Sequence, residues 1–105
     1  MKISIEELNH TRLIKAELIK WLEANGNYTN VFLNDGHKIV STKILKHYDK
    51  LLQKKGFFRI HKKYIINMEY VESHTRGKPI EITMKCKTVL PVAARRSADY
   101  LKSIS

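Results

Sequence analysis

The sequence predicts a mainly β domain carrying two small helices. Short runs of β-branched and aromatic residues recur along the chain, Gly, Asn, Asp and Pro separate them, and only two stretches take the helical period.

The first run extends from Ile19 to Leu33. Ile19, Trp21 and Glu23 alternate with Lys20, Leu22 and Ala24 as in a strand, and Asn25-Gly26-Asn27 breaks the run. Tyr28, Thr29, Val31, Phe32 and Leu33 then form a second strand. Asn34-Asp35-Gly36 is a hairpin signal, since Asp-Gly tolerates the positive φ angles of a tight type I′ turn; His37 to Ser41 returns as the partner strand. From Thr42 the period changes. Ile44, Leu45, Tyr48, Leu51 and Leu52 fall on one face of a helix, which Ser41 or Thr42 is expected to cap and beyond which Gly56 lies. Lys43, Lys46, Lys50 and Lys54 occupy its other faces, the ordinary place for solvated charge.

Phe57 to Asn67 has strand formers at both ends and a polar centre, His61-Lys62-Lys63, so two short strands should present an exposed basic loop. Val71 to His74 and Ile80 to Met84 are further strands, joined by a turn at Thr75 to Pro79. Thr88 to Val92 is another, with Pro91 near its end. The tail is mildly helical, with Ala94, Ala98, Leu101 and Ile104 sharing a face.

A chain of 105 residues with 43% apolar content is the size of one domain, and residues 1–105 are read as one. It buries roughly two thirds of its unfolded surface and folds without staples. Cys86 is the only cysteine, which excludes an internal disulfide or a cysteine zinc cluster and suits a reducing compartment. Met1 to His10 carries Glu6 and Glu7 and no signal-peptide core, and no apolar run approaches the ~18 residues of a membrane span. A soluble, cytoplasmic protein is the expectation.

The net charge of +10 is unevenly spread. Met1 to Gly36 holds four basic and five acidic residues, whereas His37 to Ser105 holds sixteen and five. A polyanion suits such a field, because each neutralised phosphate releases condensed counterions. Charge alone also fits a merely soluble basic protein.

Catalysis finds little support. The histidines (His10, His37, His47, His61, His74) lack metal-ligand spacing, the glycines are isolated, and no serine has a nucleophile-elbow context. Lys85 and Lys87 flank Cys86 and favour its thiolate, but a bystander cysteine on a hairpin is the better reading. No enzyme, metal or cofactor is expected. Three polar clusters are the better lead: Asn25 to Asn30, Arg59 to Lys63, and Ala93 to Ser97. The first offers amides and hydroxyls, the others cations, with arginine able to fork onto guanine O6 and N7. Asn-Gly loops are also plain turns, and Arg95-Arg96 also suits a solvated helix start.

At these same clusters the sequence resembles the LytTR DNA-binding domain, from about Arg12 to Leu101. Trp21 to Thr29 is similar to the family's strand, acid and Gly-Asn-Tyr loop, and Val31 to Leu52 to its strand, Asp-Gly turn and helix. Phe57 to Asn67 follows its Phe-x-Arg-x-His block, and Leu90-Pro91-Val92 leads into Arg95-Arg96 as its last strand leads into Ser-Arg-Arg.

The resemblance implies an elongated stack of short antiparallel sheets with two small helices. It further implies sequence-specific binding of double-stranded DNA by a bacterial transcription regulator whose loops enter successive major grooves and touch the minor groove between them. Carried over by position, Tyr28, Thr29 and Asn30 face one major groove, Lys62 the centre, and Arg95 the other major groove. Lys46, His61, Lys63 and Arg96 become phosphate contacts, which set register without reading sequence. The family implies pairing on direct repeats, hence a homodimer on DNA, and usually a receiver or sensor domain on the same protein. Lys63 and Ala93 stand where the family commonly has serine, which removes two hydroxyls. Two alternatives stay open: an RNA-binding module using Tyr28 for stacking, and a protein-interaction domain that keeps the fold without the DNA contacts.

Overall fold

All strand pairings are antiparallel, and the ten strands sort into three sheets in a computed structural model that describes residues 1–105. The strands are β1 (Lys2–Glu6), β2 (Thr11–Lys15), β3 (Ile19–Asn25), β4 (Tyr28–Leu33), β5 (Lys38–Ser41), β6 (Phe57–His61), β7 (Tyr64–Asn67), β8 (Val71–His74), β9 (Glu81–Met84) and β10 (Val89–Pro91). Two α-helices, α1 (Leu45–Leu52) and α2 (Ser97–Ile104), complete the set. A five-stranded sheet, ordered β5-β4-β3-β7-β6, lies between the β1-β2 pair and a β10-β9-β8 sheet. The result is the elongated stack the sequence resemblance implied, with extents of 44 × 24 × 22 Å.

The middle sheet is buried on both faces. Successive residues of a strand point to opposite sides, and on β7 Ile65 and Ile66 enter two different cores. Ile65 joins Leu22, Val31 and Ile39 beneath α1 and β1, where Leu45, Tyr48, Leu52, Ile3 and Ile5 close the layer. Ile66 joins Trp21 and Ile60 against Ile82, Met84, Leu90 and Tyr100. Each fully buried isoleucine contributes about 1.5–3 kcal/mol. A register shift between Ile19 and Trp21 lets β3 serve both layers, sending Ile19 and Leu22 to one core and Trp21 to the other.

The structure corrects several local expectations. β1 and β2 were not foreseen; Ile3 and Ile5 are buried there and Ile14 partly so, while Leu8 and Leu13 are exposed. Neither Ser41 nor Thr42 caps α1, whose N-cap is Ile44 without a side-chain bond. Ser41 is buried and bonded to the Tyr48 hydroxyl, and Thr42 donates to Glu6 O at 3.3 Å, so tertiary partners outbid the helix end. Ile44 and Leu51 remain exposed, because α1 turns only its Leu45-Tyr48-Leu52 stripe into the core. On α2 the buried residue is Tyr100, not Leu101 or Ile104: its ring packs near Phe58 and its hydroxyl meets His74 Nδ1 at 3.1 Å.

Candidate nucleic-acid interface

The ladder places the three polar clusters along one edge of the middle sheet. Asn25 pairs with Tyr28, leaving Gly26-Asn27 as a two-residue turn, and Gly26 supplies the positive φ (59°) that such a turn requires. β7 runs antiparallel to β3 with Glu23 opposite Tyr64, so the Lys62-Lys63 turn leaves the sheet at the same end. A bond from Ala24 N to Lys63 O, 2.8 Å, ties the two turns together. β5 also finishes at this end, with Ser41 opposite Thr29, and so delivers Lys43 and the uncapped start of α1. Beyond β6, Ala93 N donates to Ile60 O at 2.8 Å and extends the row by a further segment. The third cluster is not a hairpin tip but a 3-10 turn, Ala94–Arg96, opening α2. His61, Lys62, Ala93, Ala94 and Arg95 line one shallow recess.

Within this row the sequence-predicted residues divide. Tyr28 is half exposed, and Lys46, Lys62, Lys63 and Arg95 are exposed. Thr29 and Asn30 are buried in the ladder, Thr29 between Ala24 and Ser41, Asn30 between Glu23 and Val40. Both were expected at the bases, and the structure places their side chains inside the protein. Thr29 Oγ1 donates to Lys43 O at 2.7 Å, while Ser41 Oγ accepts from Lys43 N at 3.1 Å, so two side chains pin the backbone of Lys43. Asn30 Oδ1 is buried without a hydrogen-bond partner.

His61 is half-buried, and its Nδ1 accepts the Lys63 N–H at 3.1 Å, which puts the proton of the neutral ring on Nε2. Burial, then the charges of Lys62, Lys63 and Arg96, hold its pKa below the usual histidine value. Neutral His61 therefore carries its proton on Nε2, as an N–H donor. Arg96 is half-buried; burial and the neighbouring Arg59 and Arg95 lower its pKa, and its Nη1 donates to Arg59 O at 3.4 Å.

Two residues escaped sequence reasoning. Lys43 was grouped with solvated lysines, although the ladder brings it to the edge; no sequence signal marks it. Arg59 was counted with the basic cluster, but its guanidinium turns inward, donating from Nη2 to Lys62 O at 2.8 Å and from Nε to His61 O at 3.4 Å.

A β scaffold presenting cations from turns along one edge suits a polyanionic partner. The model of the LytTr DNA-binding domain matches residues 9–105, so the chain belongs to the LytTR family of DNA-binding domains. Among solved structures it is similar to the LytTr DNA-binding domain of a Bacillus cereus protein described as a methyl-accepting/DNA response regulator. That likeness has a TM-score of 0.84 at 17% identity and covers 99% of this chain and 96% of the other. No curated protein matches. No helix is long and apolar enough to cross a membrane.

Proposed function

We propose that this domain reads a specific double-stranded DNA site as part of a bacterial, cytoplasmic transcription regulator, not as an enzyme. The observation that carries the reading is the single row of turns. From Tyr28 on β4 to Arg95 beyond β6 is four strand spacings of about 4.8 Å, roughly 19 Å. Side-chain reach adds to that span at both ends. The row alone is shorter than the ~34 Å between successive major grooves, and the outward side chains of Tyr28 and Arg95 supply part of the difference. Tyr28 then lies against bases in one major groove and Arg95 forks onto guanine in the other, with Lys62 over the minor groove between. Lys46, Lys63, Arg96 and the Nε2–H of His61 hold phosphates, and Lys63 supplies a point charge where the family commonly has a hydroxyl.

Pairing of two copies on a direct repeat is part of this proposal. Selection from random duplexes followed by footprinting tests it, reporting motif, repeat spacing and stoichiometry together. Arg95→Ala should cost about 1–3 kcal/mol on the selected site and relax one base position. Equal weakening on all sequences makes Arg95 a phosphate clamp. Preference for duplex RNA or single strands, or no enriched motif, refutes the proposal.

A further inference from the structure

Arg59 sits inside the DNA-facing row yet spends its guanidinium on the protein. Its side chain is 19% exposed and its Nη1 lies 3.8 Å from Asp49 Oδ2 on α1. Nη2 and Nε reach the carbonyls of Lys62 and His61, and its own carbonyl accepts from Arg96 Nη1. One residue thus joins α1, β6, the central turn and the turn that carries Arg95.

We propose that Arg59 is a positioning residue that fixes the Lys62 turn and couples it to the Arg95-Arg96 turn, with Asp49 keeping the guanidinium turned inward. The inference rests on the duplex-reading function above. Near a polyanion, an unrestrained arginine swings out to phosphate, because that pairing is bidentate and charge-assisted. Asp49 opposes this by offering a carboxylate on the inner side. The planar fork spans two carbonyls at once, which the single ammonium of lysine does not. Two further polar groups of the turn are held: Lys63 N by His61 Nδ1 and Lys63 O by Ala24 N. Lys62 therefore leaves a turn whose backbone is already fixed, and little ordering is left to be done on binding.

The test compares wild-type protein with Arg59→Lys, Arg59→Met and Asp49→Asn on the selected duplex and a scrambled one over a range of salt. Amide hydrogen exchange at Ala24 and Lys63 is followed without DNA. Arg59→Lys should keep the slope of log affinity against log salt, since a positioning residue touches no phosphate, while preference for the selected site falls about tenfold. Exchange at both amides should speed up. Asp49→Asn should bind scrambled DNA more tightly and still discriminate less, a combination that loss of a contact does not produce. A slope reduced by about one unit with preference intact makes Arg59 a phosphate contact and overturns the proposal. So do wild-type preference and exchange in both Arg59→Lys and Asp49→Asn. Wild-type protein without preference for any duplex defeats the function instead, and the exchange rates in Arg59→Lys still decide the brace.

Discussion

Replacing Thr29 by valine separates scaffold from reader at the first turn. Valine keeps the volume and branching of threonine, and the side chain is fully buried, so packing changes little. What disappears is the 2.7 Å bond to Lys43 O, a partly buried carbonyl left without that donor. Losing one partner of such a pair costs about 1–3 kcal/mol. For a domain of this length each kcal/mol lowers the melting temperature by about 4–5 °C, so a fall of about 4–15 °C is expected. The fall should appear in calorimetry and in urea titration with an unchanged m-value. On DNA the variant should weaken on every sequence alike, because Lys43 and the turn are loosened while no base contact is removed. An unchanged melting temperature together with lost preference at one base pair would show that Thr29 touches DNA directly and that its burial misleads.

Two further outcomes follow from the same geometry. Lys46→Ala should lower the salt slope by about one unit with sequence preference intact, measured by titrations at several salt concentrations; an unchanged slope removes Lys46 from the interface. His61 has a folded-state pKa below its unfolded value, so the unfolded chain takes up the proton more readily. Its contribution to stability is present above the unfolded pKa of about 6.5 and is lost as pH falls through the folded pKa. Urea unfolding at pH 7.5 and pH 5.5 should show a larger loss in wild-type protein than in His61→Asn, and equal losses would refute the linkage.

Much of the fold was legible because local signals agreed with burial. Asp35-Gly36, the alternation around Trp21 and the two-sided apolar ends of Phe57 to Asn67 each specify a strand pairing that the structure contains. β1 did carry a signal, Ile3 and Ile5 alternating with Lys2, Ser4 and Glu6, that the sequence reading missed, whereas β2 offers only a partly buried Ile14. Helical period alone did not choose the buried face of α2, since Leu101 and Tyr100 both suit a core and only tertiary contact with Phe58 and His74 decides between them. At the site, sequence reveals which side chains are polar but not which are used up. Thr29 and Arg59 look like ligand-binding groups and are committed to protein carbonyls instead. That commitment depends on Lys43 and Lys62 arriving from other elements.

The two-residue turns at Gly26-Asn27 and Lys62-Lys63 divide labour between stability and recognition. Tyr28, Lys62 and Arg95 belong to neither core, so under the proposed function exchanging them would redirect the domain to a new operator at little thermodynamic expense. Changing the length of either turn is another matter. One inserted residue slips the ladder by one position and turns Val31 or Ile65 toward the wrong layer. Diversification in such a protein should therefore proceed by side-chain exchange at constant spacing, and the stride between contacted bases should outlast the identity of the bases themselves.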